Sequence, residues 1–217
     1  IVKIPTIGEG KVMIGREILV LEPVERLTRD ILAANSGLGK EGARFLVDAY
    51  YMMQKSRIAQ GNRVRTLETS GEPNQVLVWL EKQSDVLEKQ IVRALDKWVD
   101  EYPIGPWLKG IIGIGPILAA GLLAHIDIKM APTAGHIWRF AGLDPTLKWE
   151  KHQKRPWNTS LKTLCFKIGE SFIKTQNHPG DVYGHLYVQR KDYELGRNVG
   201  PKSPDDLAKF KDYAGSV

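Results

Sequence analysis

The chain has 217 residues, of which 42% are hydrophobic, and its formal net charge at pH 7 is +6. A chain of this length can bury a sizeable core, and its lack of a long apolar run argues against an integral membrane protein. The positive charge favours an acidic partner. The single cysteine excludes an internal disulfide framework and indicates a reducing compartment.

The first 39 residues are predicted to form an arm and a short helix. In residues 1–21, β-branched residues alternate with small ones around three glycines, which favours a short extended arm or a β-hairpin. From residue 22 the pattern becomes helical, with a first helix near 23–34 that ends at Asn35-Ser-Gly37. A second helix is predicted from about Lys40 to Leu67, apolar in its first half and basic in its second half.

Residues 73–101 carry the clearest periodicity of the chain. Side chains of one face recur at alternating spacings of three and four, which is the heptad pattern of a coiled coil. These positions are Leu77, Leu80, Ser84, Leu87, Ile91, Ala94 and Trp98. The preceding helix is the simplest partner, which gives a long antiparallel helical hairpin, and a homodimer through 73–101 is the alternative. Pro103 and Pro106 then end the hairpin. The sequence therefore predicts three units: 1–39, 40–102 and 103–217.

The most informative segment is Ile111-Ile-Gly-Ile-Gly-Pro-Ile-Leu-Ala119, which predicts the end of one helix, a tight turn and a second helix. Glycines at 113 and 115 allow positive φ angles and a close approach of the backbone to a ligand. Pro116 suits the first position of the second helix. The free N–H groups and the positive end of that helix attract anions. A plain turn between two core helices is the structural alternative.

More helices are predicted near 133–141, from Asn158 to about Lys174, at 181–196 and at 204–214. Asn158 is suited to cap the start of its helix. Strand patterns are almost absent after residue 21, so the predicted fold class is all-α.

The segment 146–174 concentrates the positive charge. It contains seven basic and two acidic side chains, and Trp149, His152 and Trp157 are interleaved with the basic ones. Basic and aromatic residues beside a phosphate-binding turn are typical of a nucleic-acid surface. We therefore predict DNA contacts from ten residues: Lys109, Gly113, Ile114, Gly115, Pro116, Lys148, Lys151, Lys154, Arg155 and Lys162.

Three ordered elements resemble the C-terminal domain of a group of insertion-sequence transposases. The turn Gly113-Ile-Gly-Pro116 is followed by Phe140-Ala-Gly-Leu-Asp-Pro145 and then by Trp157-Asn-Thr-Ser-Leu-Lys162. In that family a GIGP-type hairpin precedes an aromatic, small, Gly-Leu-x-Pro segment and a helix opened by Gly-Asn. The resemblance covers about residues 105–175. It implies that 103–217 is a helix-hairpin-helix domain with C-terminal helices, which holds DNA phosphates with little regard to sequence.

The chain departs from this family in the parts that carry catalysis. The family's resolvase-like nuclease domain, with its acidic metal ligands, has no counterpart in residues 1–39. Its nucleophilic serine stands in a Ser-Gly pair after the Gly-Leu-x-Pro motif, whereas residues 146–154 contain no serine. Ser160 and Ser171 lie on the following helix, where a buried or capping role is expected. We therefore predict no catalytic residue, no metal site and no cofactor.

Together these observations predict a transposase-like nucleic-acid-binding protein of a mobile element or phage, which binds the DNA backbone without its own catalysis. Its expected location is the nucleoid, in the cytoplasm of a bacterial or phage-infected cell. Two other functions stay open: an active recombinase or nuclease completed by another domain or partner, and a coiled-coil interaction adaptor. Structured RNA is an alternative ligand, because some members of the family use an RNA guide.

Overall fold

A computed structural model of the chain describes residues 11–14, 17–20, 26–72 and 74–197. Most of these residues are in α-helices, which confirms the all-α class. None of the described helices is both long and apolar enough to cross a membrane. The helix predicted for 204–214 lies outside the described residues.

The N-terminal part contains a small β-hairpin, which was one of the two structures expected there. Strands β1 (Lys11–Ile14) and β2 (Glu17–Val20) pair antiparallel. A short helix, α1 (Arg29–Ala34), and a 3-10 turn (Asn35–Gly37) follow. The side-chain amide of Asn35 donates to the carbonyl oxygen of Ala94 at 2.8 Å, which attaches this region to the next elements.

Two long helices, α2 (Lys40–Thr69) and α3 (Gln75–Asp100), pack against each other within the chain. Asn74 caps α3, since its side chain accepts a hydrogen bond from the Leu77 amide. The heptad face is buried only near the end of α3 that joins the rest of the molecule: Ala94 and Trp98 are buried, whereas Leu80 and Leu87 are exposed.

A buried ion pair links the middle of α2 to α3. Arg57 donates from Nε to Glu88 Oε1 at 2.7 Å and from Nη2 to Oε2 at 3.1 Å, and the Glu88 side chain is 6% exposed. One helical turn further from the core, the Ser84 hydroxyl donates to the Gln60 side-chain oxygen at 3.1 Å. Polar contacts therefore connect the two helices where the apolar core ends.

The remaining helices begin after Tyr102. They are α4 (Gly105–Gly110), α5 (Pro116–His125), α6 (Ala134–Phe140), α7 (Thr159–Thr175) and α8 (Val182–Arg197). Helix α5 is apolar around its circumference because it lies between α2 and α3 on one side and α7 on the other. Gly121 allows the approach of α7, since a Cβ there would lie 2.6 Å from Leu164 Cδ2.

One hydrophobic core crosses the boundary predicted near residue 102. Side chains from α2, α3, α4, α5 and α7 belong to a single buried cluster. Its larger members are Val47, Leu95, Trp98, Val99, Leu108, Ile114, Ile117, Leu118, Leu161 and Leu164. The two prolines at 103 and 106 therefore redirect the chain without separating two cores.

Polar side chains hold the C-terminal end of α5 and the start of α8 in place. At the C-terminal end of α5, Arg44 Nε donates to the Ala124 carbonyl at 2.9 Å and Lys40 Nζ to the Ile126 carbonyl at 3.4 Å. Cations at this end of a helix also compensate its dipole. At the start of α8, the buried Asp181 accepts hydrogen bonds from the Gly184 amide at 2.9 Å and the Thr175 hydroxyl at 2.6 Å.

Candidate nucleic-acid interface

The α4–α5 turn, residues 111–115, has the helix, turn and helix order that the sequence predicted. The Ile114 amide donates to the Ile111 carbonyl at 2.9 Å, and Pro116 is the first residue of α5. Gly113 has a φ of +93°, in the region that favours glycine. Gly115 has a φ of −86° and a ψ of 177°, so the expectation that both glycines use positive φ is wrong for Gly115.

Helix α7 covers the turn on the side of Gly113. The Ser171 hydroxyl donates to the Gly113 carbonyl at 2.6 Å. A Cβ on Gly113 would lie 2.7 Å from Phe172 Cδ1 and 3.2 Å from the Thr175 hydroxyl oxygen. Gly115 is exposed, and no atom lies within 4 Å of the position of its Cβ. The turn is therefore open to a ligand at Gly115, whereas α7 covers one side of Gly113.

The open side of the turn faces a cleft of about 350 Å³, which we name the turn cleft. Its floor includes Gly115 and Pro116 at the start of α5, and its walls come from α2 and α7. No side chain caps the start of α5 among the described residues, so the first amides of the helix lack a side-chain acceptor. The ionisable groups along the walls are Tyr50, Tyr51, Lys167, Glu170 and Lys174.

Lys167 and Tyr51 lie together on the wall of the turn cleft. The Lys167 ammonium lies 4.2 Å from the centroid of the Tyr51 ring, in cation–π contact. Burial, followed by the neighbouring Tyr50 and Glu170, raises the pKa of Tyr51 to about 12. The Tyr51 hydroxyl therefore stays protonated at neutral pH and is able to donate a hydrogen bond to an anion.

Two of the predicted contact residues near the turn have structural roles. Lys109 Nζ lies 2.5 Å from Asp96 Oδ1 and 2.6 Å from Asp100 Oδ1, so its charge is balanced by two carboxylates of α3. The Ile114 side chain is buried in the core, which leaves only its backbone near the turn surface. Neither side chain lines the turn cleft.

The second basic region is the basic loop, residues 144–158, between α6 and α7. Its four predicted contact residues, Lys148, Lys151, Lys154 and Arg155, are exposed. Within the described parts of the chain, none of them lies within 4 Å of a carboxylate. Their charges are therefore available to a polyanion.

Tryptophans organise this loop. The Trp149 indole N–H donates to the Gln153 carbonyl at 2.8 Å, and its ring meets that of Trp157 edge to face at 6.4 Å between centroids. The Arg155 guanidinium lies 5.2 Å from the Trp149 centroid, and the Lys162 ammonium lies 4.7 Å from the Trp157 centroid. One cation of the loop, Arg155, and one cation of α7, Lys162, are thus held beside aromatic rings.

The two basic regions lie at opposite ends of α5. The turn contacts Ser171 near the end of α7, whereas the basic loop ends at Asn158, whose side chain lies 3.4 Å from His125 at the end of α5. Helix α5 has 10 residues and is therefore about 15 Å long. The structure does not bring the predicted glycines and the predicted loop lysines into one cluster.

Three residues of the turn cleft were not among the contact residues predicted from the sequence: Tyr51, Lys167 and Lys174. The two lysines carried a usable signal, because positions seven apart lie on one face of a predicted helix. Tyr51 carried none, since its position depends on the packing of α2 against α5 and on its contact with Lys167 of α7. In the described parts of the chain, no group of three or more His, Cys, Asp or Glu side chains is placed to hold a metal ion.

The turn and the helices around it form a transposase-like segment. Residues 106–149 match the profile of the transposase IS116/IS110/IS902 family. The matched residues include the turn, α5 and α6. The match ends within the basic loop, just after Lys148 and Trp149, so Trp157 and Lys162 lie outside it. No curated protein and no solved structure matches the chain.

Proposed function

We propose that this chain is a transposase-like protein of a mobile element or phage that binds the phosphate backbone of DNA. The observation that carries this proposal is the start of α5, which opens into the turn cleft beside Lys167 and Lys174, within a segment similar to transposases. Helix starts bind phosphates through free amides and the helix dipole. Because these groups recognise phosphate rather than bases, the expected sequence preference is weak.

In the turn cleft, the first amides of α5 donate to one phosphate, and Lys167 and Lys174 neutralise that phosphate and its neighbour. Gly115 exposes its backbone because it has no side chain, and Pro116 has no N–H, so the first amides within α5 are those of Ile117 and Leu118. Gly113 and Ile114 support this geometry from within the fold. Glu170 is the acidic wall residue and limits the net charge of the cleft to one positive unit.

The basic loop supplies the second contact with DNA. Lys148, Lys151, Lys154 and Arg155, together with Lys162, each bind a phosphate, whereas Lys109 does not contribute because two carboxylates already hold it. Each phosphate contact adds about 0.9 to the slope of log K against log salt concentration. Changing the four loop residues to alanine should therefore reduce this slope by about 3.6.

The turn contact is tested by Gly115→Glu, which places a carboxylate at the open side of the turn, where an added Cβ meets no atom beyond the neighbouring residues. Fluorescence anisotropy with a labelled DNA duplex should show binding that is weaker by about tenfold, or about 1.4 kcal/mol. Gly196→Glu on α8 is the matched control, because it makes the same charge change in open space. The proposal fails if Gly115→Glu and the four loop substitutions all leave binding unchanged.

The proposed role does not include catalysis. Ser171 uses its hydroxyl to hold the Gly113 carbonyl, and the segment 146–154 lacks the serine found in similar transposases. A labelled duplex incubated with the chain and Mg²⁺ should stay intact and free of covalent protein. Cleavage or a covalent adduct would instead support the recombinase alternative.

Two partner predictions stay untested. A homodimer through 73–101 would use the exposed Leu80 and Leu87 of α3, and light scattering measures it directly. Structured RNA presents the same phosphate charge as DNA. A binding series with duplex DNA and structured RNA at two salt concentrations distinguishes these ligands.

A further inference from the structure

The basic loop and α6 expose aromatic rings next to the loop cations. Trp149 is 37% exposed and Phe140 is 46% exposed. The two elements are joined, since the Asn158 amide donates to the Phe140 carbonyl at 2.8 Å and Trp157 packs directly over Gly142. We name this region, formed by Phe140, Trp149, Arg155 and Trp157, the aromatic surface. Backbone binding to a duplex requires charges and amides, and it does not account for these rings.

Trp149 is held in a fixed orientation before any ligand binds. Its indole N–H donates to the Gln153 carbonyl, and its ring packs edge to face with that of Trp157. The chain reverses between these contacts through His152, which has a φ of +74°, an uncommon value for a residue other than glycine. A rigid ring loses little conformational entropy when another ring stacks on it.

The charge around the aromatic surface selects the kind of partner. Arg155 and Lys162 lie beside the rings, and the exposed Lys148, Lys151 and Lys154 belong to the same loop. Glu150 is the acidic residue among positions 148–162. Aromatic rings that are framed by cations match the two parts of a nucleotide, a planar base and a phosphate. An apolar protein surface would match the rings but would leave these charges without partners.

We propose that the aromatic surface binds unpaired nucleotides, with a base stacked at Trp149 and the flanking phosphates on the loop lysines. This inference rests on the proposed nucleic-acid binding and specifies the form of nucleic acid that this end of the chain prefers. In a duplex, base pairing and stacking keep the faces of the bases from side chains, whereas in a single strand every base offers a face. The loop lysines then bind phosphates of a duplex or of a single strand, whereas the rings of the aromatic surface add affinity for unpaired nucleotides alone.

The test is anisotropy with three labelled probes of the same sequence: a DNA single strand, an RNA single strand and a DNA duplex. Trp149→Leu, which keeps an apolar side chain but removes the ring, should weaken single-strand binding by at least about fivefold. It should change duplex binding by less than twofold. Trp149→Phe, which restores a ring, should recover most of the single-strand affinity.

Trp107→Leu is the matched control, because Trp107 on α4 is 62% exposed and lies outside the aromatic surface. Its affinity for all three probes should equal that of the unmodified chain.

Loss of binding to both the DNA and the RNA single strand in Trp149→Leu supports the inference. Loss of binding to one of these strands also supports it and identifies the preferred sugar. Equal effects of Trp149→Leu and Trp107→Leu, or no effect of either, overturn it. Continued duplex binding in that case leaves the proposed function standing, whereas absence of binding to every probe overturns both.

Discussion

Gly113 is the residue whose backbone shapes the α4–α5 turn. Gly113→Ser should lower the free energy of unfolding by about 1–3 kcal/mol, because serine disfavours a positive φ and its Cβ would overlap Phe172. Urea denaturation measures this change. Gly115→Ser is the control: its φ is ordinary, its Cβ meets no atom, and serine is favoured at a helix N-cap. Equal losses for the two variants would contradict the assignment of different roles to the two glycines.

Protonation of Asp181 is expected to lower the stability of the folded chain at acidic pH. The Thr175 hydroxyl, and then the Gly184 amide, hold the pKa of the Asp181 carboxyl below its ordinary value of 3.8. A carboxyl with a lower pKa in the folded chain stabilises it fully above the unfolded pKa and loses this effect as pH falls through the folded pKa.

Thr175→Val tests this dependence through the melting temperature. The melting temperature of the variant should lie below that of the unmodified chain at pH 6, and the difference should shrink as the pH falls below about 4. Thr163→Val is the control, because the Thr163 hydroxyl donates to a carbonyl of its own helix, four residues earlier, and no carboxylate accepts from it. A difference that stays constant from pH 6 to pH 2.5 would exclude Asp181 as its source.

At the scale of elements, the Arg57–Glu88 pair joins α2 and α3 beyond the apolar core. Glu88→Ala should lower the free energy of unfolding by about 1–3 kcal/mol, less than for a fully buried pair because the Arg57 side chain is 27% exposed. Asp85→Ala breaks the exposed Lys89–Asp85 pair on the same helix and should change it by less than about 0.5 kcal/mol. Calorimetry on both variants measures the two changes in the free energy of unfolding. Equal changes would contradict a larger role for the Arg57–Glu88 pair.

The elements themselves were largely predictable because their signals are local. Asn158 accepts from the Leu161 amide and begins α7 as expected, and Pro116 begins α5. The contacts between elements were not predictable in this way. Lys109 is an example: it lies 13 positions after Asp96, and only the chain reversal before α4 brings its ammonium to that carboxylate. The sequence pattern therefore indicates the turn but not the lysines and tyrosines that line its cleft.

At the scale of the whole molecule, the shared core predicts one cooperative unfolding transition. A fragment of residues 103–197 should lack a cooperative urea transition, because its core would lose Leu95, Trp98 and Val99. The whole chain should show a single transition by circular dichroism and by tryptophan fluorescence. A fragment that unfolds cooperatively would show instead that the predicted boundary near residue 102 separates independent domains.

Under the proposed function, the positions of the turn cleft and the basic loop at opposite ends of α5 make the chain a bivalent binder of nucleic acid. The helix between them is about 15 Å long, and a nucleic-acid strand advances about 3.4 Å per nucleotide along a duplex axis. A strand of fewer than about five nucleotides therefore reaches one end only. Once a longer strand is bound at one end, its effective concentration at the other rises, so affinity increases steeply at this threshold length rather than in proportion to length.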